Sequence, residues 1–168
     1  MSIQTIRQLG DPILRQVALP VETFDPALQE LVCDLRDTLH AFQAQHKTGR
    51  GIAAPQIGVS RRVIYLECAG QALTLVNPEF VDKSAEMFEL WDSCFSYFGI
   101  AFQVTRHRQV TIRYQDATGL THQLTADGEL SELLQHEMEH LDGVLAIDQL
   151  ILPGKVMEQS EFLKLRRG

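Results

Sequence analysis

Cysteine is scarce in this chain. Among 168 residues only Cys33, Cys68 and Cys94 occur, with no paired framework; this excludes a disulfide-stapled scaffold and points to a reducing, cytoplasmic setting. Long apolar runs are missing too, so nothing in the sequence is long enough to span a bilayer. Residues 1–20 break their apolar positions with Arg7, Asp11 and Arg15, which is not the pattern of a signal peptide. Positive charge is in deficit: 15 Lys and Arg face 22 Asp and Glu, for a net charge of -7. That balance offers no electrostatic attraction to nucleic acid or to an anionic membrane, and neither is expected as a direct partner. Repeats, low-complexity tracts and linkers are also lacking, so residues 1–168 read as one domain.

What is present is the make-up of an ordinary globular protein, 45% hydrophobic and 22% charged. A chain of this length buries roughly two-thirds of its unfolded surface. It therefore needs no metal merely to fold, and a metal motif would be there for chemistry. Leu28, Leu31, Val32, Leu35, Leu39 and Phe42 recur at helical spacing behind Asp25 as N-cap and Pro26 at the first helical position. They predict a helix from Pro26 to about Phe42, followed by a polar loop from His46 to Arg50. Val63–Leu66, Leu73–Val76, Phe88–Trp91, Ile100–Val104, Val110–Tyr114 and His122–Thr125 read as strands bounded by turn signals. Asp116–Gly119 turns the fifth into the sixth as an antiparallel pair. A second, capped helix is expected from Asp127-Gly128 to near Gly143, a C′ residue, and the charged tail from Glu158 to Arg167 adds a helical turn or two. Helix, then strands, then helix describes an α+β fold, not alternating βα units.

The second helix contains His136-Glu137-Met138-Glu139-His140, an H-E-x-x-H sequence. A four-residue spacing puts both imidazoles on one helical face, able to share one metal ion. Glu137 can then act as general base on a water activated there without being a ligand itself. The plain alternative is two surface histidines on a charged helix. A catalytic site of this kind needs a third protein ligand and an open position. Residues 141–150 hold no further His or Glu, leaving Asp142 and Asp148, or a cysteine. Cys33 adjoins the apolar stripe of the first helix and reads as packing. Cys68 ends a strand and has no evident role. Cys94, within Asp92-Ser93-Cys94-Phe95-Ser96, lies on a strand-to-loop segment from which side chains can be aimed at a site. A Cys94 nucleophile with a histidine base is conceivable by residue type, but it leaves the H-E-x-x-H spacing without a reason.

The sequence resembles the peptide deformylase family. Gly49-Arg50-Gly51-Ile52-Ala53-Ala54-Pro55-Gln56 is similar to its signature G-x-G-[LI]-A-A-x-Q, Asp92–Ser96 occupies the place of E-G-C-L-S, and Gln135–Gly143 is similar to Q-H-E-x-D-H-L-x-G. The three follow in the family's order, and the likeness runs from Asp11-Pro12-Ile13-Leu14-Arg15 to about Leu150. It implies antiparallel sheets packed around a central H-E-x-x-H helix. It implies that Cys94, His136 and His140 hold one divalent metal ion per chain, ferrous iron in the cell with zinc, nickel or cobalt able to substitute. Glu137 would serve as general base and then protonate the leaving amine. Gln56 and the backbone N–H of Phe95 would stabilise the oxyanion, with Asp92 and Arg106 supporting the cysteine loop. Arg50, Gly51, Ser93, Glu132 and Leu133 would contact the substrate, whose backbone would run beside Gly51 like an added strand.

The likeness implies removal of the formyl group from the N-terminal methionine of nascent peptides, in the cytoplasm, with transient ribosome association. The chain also departs from the family. Asp92 stands for Glu, Ser93 for a glycine that serine could replace only at a cost if its φ were positive, and Phe98 for a proline that would fix the loop more firmly. Ala101 stands where many relatives carry a substrate-facing arginine, and Arg50 where an apolar residue is common. Glu129 and Glu132 take positions that are apolar in relatives, on the face of the metal ligands, with Arg50 and Arg106 as candidate partners. The alternatives are therefore a deformylase-like metal hydrolase for a different N-formyl or N-acyl substrate, or a weakly active metal-binding homologue.

Overall fold

Two antiparallel sheets meet one central helix in the computed structural model, which describes residues 2–68, 70–150 and 156–165. The architecture is α+β. Helix α1 spans Pro26–His46; the Asp25 carboxylate accepts from the Leu28 N–H at 3.1 Å and Pro26 opens the helix. It continues one turn past Phe42 and ends at Lys47 in the left-handed conformation. His46 is thus helical rather than part of the loop, and its ring packs on Phe42 one turn earlier at 4.4 Å.

Strands β1 (Gly51–Ala53), β2 (Val63–Cys68), β3 (Gln71–Lys83), β6 (Gln109–Gln115) and β7 (Thr121–Asp127) form a five-stranded sheet in the order β1-β2-β3-β6-β7. The period-two alternation of β2 shows how the sheet is sandwiched. Val63 and Tyr65 face α1 with Leu28, Leu35 and Leu39, whereas Ile64 and Leu66 face the second helix. β3 is far longer than the apolar run Leu73–Val76. Asn77-Pro78 reads as a stop in the sequence, but register shifts after Val76 and Phe80 carry the strand past Pro78. Asn77, at φ 49°, also binds both backbone groups of Val21.

Strands β4 (Met87–Asp92), β5 (Ile100–His107) and β8 (Val156–Glu158) form the second sheet, in that order. β8 has no counterpart in the sequence reading, which began a helix at Glu158. The helix α3 starts one residue later, Gln159–Leu165, and the expected turn toward Arg167 lies outside the described residues. Helix α2, Gly128–Leu141, packs Leu134, Met138 and Leu141 onto Ile64, Leu75 and Ile112 of the larger sheet. Asp127 stands at its N-cap position but makes no side-chain capping bond. Its carboxylate accepts from Arg108 Nε at 3.2 Å instead. Gly143 follows the helix at φ 71°, where a Cβ would stand 2.6 Å from the Arg15 carbonyl oxygen, so only glycine fits.

Candidate metal centre

One turn of α2 separates His136 from His140, and their rings lie 5.1 Å apart, both buried. Cys94 arrives from the end of β4 in extended backbone, with Sγ 3.3 Å from His140 Nε2. The donor atoms of Cys94, His136 and His140 all fall within 4.8 Å of one another. Neither aspartate left open as a third ligand is near them. Asp142 pairs with Arg62 at 2.7 Å and Asp148 with Arg15 at 2.5 Å, both carboxylates at the surface. Cys33 and Cys68 are both half-buried and neither falls in this group of donors. A second trio, Asp92, Glu132 and His136, is equally close, but guanidinium groups already neutralise both its carboxylates.

The centre is braced from behind. Asp92 reaches His136 Nδ1 at 2.9 and 3.0 Å, leaving Nε2 as the free donor. Arg106 lies 3.2 Å from Asp92 and 2.5 Å from Glu139. Burial alone would raise the Asp92 carboxyl, but the facing His136 and Arg106 outweigh it and hold the group at about 2. Arg106 occupies an inward position of β5, in step with Phe102 and Val104. That is the sequence signal for a second buried partner, and Glu139 is the partner it did not identify. His140, buried next to His136, is held well below the usual histidine range and is thus neutral, the form in which imidazole binds metal.

Gln56 ends up beside the thiol because Ala54–Ile57 makes a 3-10 turn straight after β1. Its Oε1 accepts from the Ala53 N–H at 2.9 Å, while Nε2 reaches Ser96 Oγ at 3.3 Å and Cys94 Sγ at 3.5 Å. Phe95 opens the turn after Cys94 and stacks on Phe42 with centroids 4.0 Å apart. Glu137 is 3% exposed, and burial, against the pull of His136 and with the push of Glu132 and Asp92, raises its carboxyl to about 7. Its Oε2 is buried without a hydrogen-bond partner among the described residues, a costly state unless something else fills the site. A thiolate and two imidazoles, with that acceptor beside them, suit a divalent ion of the zinc or ferrous type with an open position.

A sequence model of the family "Polypeptide deformylase" matches residues 3–155. The chain belongs to the polypeptide deformylase family. It is 44% identical over 151 residues to a peptide deformylase of Parafrankia sp., covering 89% of this chain and 80% of that one. The crystal structure of the peptide deformylase from Thermotoga maritima superposes with a TM-score of 0.85 at 30% identity, over 90% of this chain and all of the other. A Synechococcus elongatus peptide deformylase in complex with actinonin gives 0.82 at 32% identity, over 88% and 78%. The chain is accordingly an enzyme, a metal-dependent hydrolase that removes formyl groups. No helix among the described residues is long and apolar enough to cross a membrane.

Arg50, Gly51, Ser93, Glu132 and Leu133, the residues named for substrate contact, line the cleft over the centre together with Phe95. Trp91, Gln159 and Phe162 join them; the last two come from the tail, whose return to the site has no local signal. Glu132 is held by Arg50 at 2.5 Å. Arg106, the other candidate, is committed to Asp92 and Glu139. Glu129, expected beside Glu132, lies outside the lining with its side chain 78% exposed, because it sits in the first turn of α2. Ser93 does not have a positive φ, so serine carries no backbone strain there. Phe98 packs on Phe42 and His46, which fix the loop in place of a proline. Ala101 is fully buried opposite Met157 of β8.

Proposed function

We propose that this chain removes the N-formyl group from the N-terminal methionine of nascent peptides, with residues 1–168 acting as one catalytic domain. One divalent ion would be held by Cys94, His136 and His140, ferrous iron in the cell, with zinc, nickel or cobalt as substitutes. When bound, such an ion supplies Lewis acidity toward the formyl oxygen and toward water. Glu137 takes the proton of the attacking water on a carboxylate oxygen and passes it to the amine nitrogen as the C–N bond breaks, releasing formate and a free N-terminus. Gln56 Nε2 and the Phe95 N–H donate to the carbonyl oxygen as charge builds on it; one donor of this kind contributes about 3–4 kcal/mol. Asp92, fixed by Arg106, sets the orientation of His136. Among the described residues β1 pairs only with β2, and its other edge suits an extended peptide. The reaction belongs to the cytoplasm, with transient contact to the ribosome.

The observation that carries this reading is the convergence of Cys94, His136 and His140 beside an unsatisfied, buried Glu137 carboxylate. Anaerobic metal analysis, run alongside turnover of formyl-Met and acetyl-Met tripeptides, tests it. Stoichiometric metal with cleavage of the formyl peptide alone is expected, and Glu137→Gln should keep the metal while losing several orders of magnitude in rate. Metal without cleavage of either peptide would overturn it. A second reading, another N-formyl or N-acyl substrate, is favoured only by the charged Arg50–Glu132 pair in the cleft.

A further inference from the structure

Cys94 has a polar neighbour outside the cleft. Tyr97 ends the short turn Phe95–Tyr97 that follows the cysteine, and its N–H lies 3.4 Å from the Cys94 carbonyl oxygen. Both side chains belong to one buried cluster with Leu14, Phe102, Leu145 and Ala146. Tyr97 is 7% exposed and does not line the cleft, so it touches no substrate there. Its hydroxyl is buried and closes no hydrogen bond of regular geometry among the described residues, a state that a phenylalanine would avoid. The Cys94 sulfur is the acceptor within its reach. Burial first, then Cys94 and Asp92, push the tyrosine ionisation well above its ordinary range, so the proton stays on the oxygen. The Ile147 N–H approaches the same oxygen, which leaves that hydroxyl proton free to be donated.

We propose, resting on Cys94 as a metal ligand, that Tyr97 is a positioning residue whose hydroxyl donates to the Cys94 sulfur and tunes its bond to the ion. A thiol is a weak acceptor, whereas the thiolate that binds metal is a strong one. The bond therefore belongs to the metal-binding form of the cysteine. Hydrogen bonds to a cysteine sulfur draw charge off it and fix its direction. Gln56 Nε2, 3.5 Å from Sγ, is a second donor, but the reaction needs it at the carbonyl oxygen of the substrate. Tyr97 has no such second duty. It keeps the sulfur's charge and direction constant while Gln56 changes partner.

The test is Tyr97→Phe, which removes one oxygen from the core, in the cobalt-loaded protein, whose sulfur-to-metal charge-transfer band reports on the sulfur itself. Without the donor the sulfur gives more charge to the ion, and the band should move to longer wavelength. Competitive chelator titration should show metal affinity falling about tenfold. Thermal unfolding of the metal-free variant should match or slightly exceed wild type, because an unpaired buried hydroxyl is gone. Full replacement of tyrosine by a ring-fluorinated tyrosine, a stronger donor, should move the band the opposite way in the otherwise native chain. Tyr65 and Tyr114 pack in other clusters and leave the sulfur alone. A band that stays at its wild-type position in both proteins overturns the inference, and a lower Tm beside it makes Tyr97 a packing residue. A wild type with no sulfur-to-cobalt band removes the Cys94 assignment and this inference together; a wild-type band that neither change moves removes this inference alone.

Discussion

A Cβ on Gly51 would stand 2.6 Å from Glu137 Oε1 and 3.0 Å from its Cγ and Cδ. Close approach, not an unusual φ, is what requires glycine here, since the residue sits in regular strand pairing with Leu66. Glu137, the proposed general base, is thereby packed against the strand that runs along the cleft. In Gly51→Ala the methyl group pushes the carboxylate aside, and a displacement of about 1 Å at a reacting group costs on the order of 10²-fold in rate. Metal content should be unchanged. Equal kcat in Gly51→Ala and wild type would show that Glu137 has room to spare.

Gln56 offers a similar separation of chemistry from metal binding. Gln56→Ala should lower kcat by about 10²–10³ with metal retained, as expected of a donor used in the transition state. The same change strands the Ala53 N–H that Gln56 Oε1 now accepts from. A buried unpaired donor costs about 1–3 kcal/mol, so a modest fall in Tm should accompany the rate loss. Unchanged kcat with only the fall in Tm would make Gln56 a structural residue.

The cluster of Cys94, His136 and His140 was legible because helical periodicity alone fixes His136 against His140, and the Cys94 segment carries a recognisable motif. The strands were legible as apolar runs, but their lengths were not. β3 continues through Pro78 by bulging, which no local pattern announces. The least legible parts depend on distant chain. Glu139 is one more acidic residue on a polar helix until the inward-facing Arg106 of β5 meets it. Gln159 and Phe162 return to the cleft only because β8 pairs with β5.

The β6–β7 turn should give the chain a specific acid sensitivity. The Asp116 carboxylate accepts from the Thr118 hydroxyl, from His122, and from the Thr118 and Leu120 N–H groups. These bonds hold its pKa well below the usual carboxylate range. A depressed folded-state pKa stabilises above the unfolded value of about 3.9 and loses that contribution as pH falls below it. Asp116→Asn should therefore lower Tm at pH 7, and the gap to wild type should narrow as pH falls below about 4. A gap that stays constant down to the acid unfolding transition would show that the charge of Asp116 is immaterial to the turn.

Arg106 is the residue on which both stability and metal binding should depend. It is 2% exposed and is the guanidinium shared by two acidic side chains, Asp92 at 3.2 Å and Glu139 at 2.5 Å. Removing it leaves the buried Asp92 carboxylate and the partly exposed Glu139 carboxylate without their guanidinium, and breaking a buried charge pair from one side costs about 3–5 kcal/mol. Arg106→Leu should lose that much stability and, because Asp92 then no longer holds the His136 ring, about 10–100-fold in metal affinity. Glu139→Gln keeps the Arg106–Asp92 bond and should leave metal affinity within a few-fold of wild type while lowering Tm slightly. Competitive chelator titration and thermal unfolding of both variants read the two effects separately. Comparable metal loss in Glu139→Gln would mean that Glu139, rather than Asp92 alone, positions the ligand; unaltered affinity in Arg106→Leu would mean that Asp92 orients His136 without help.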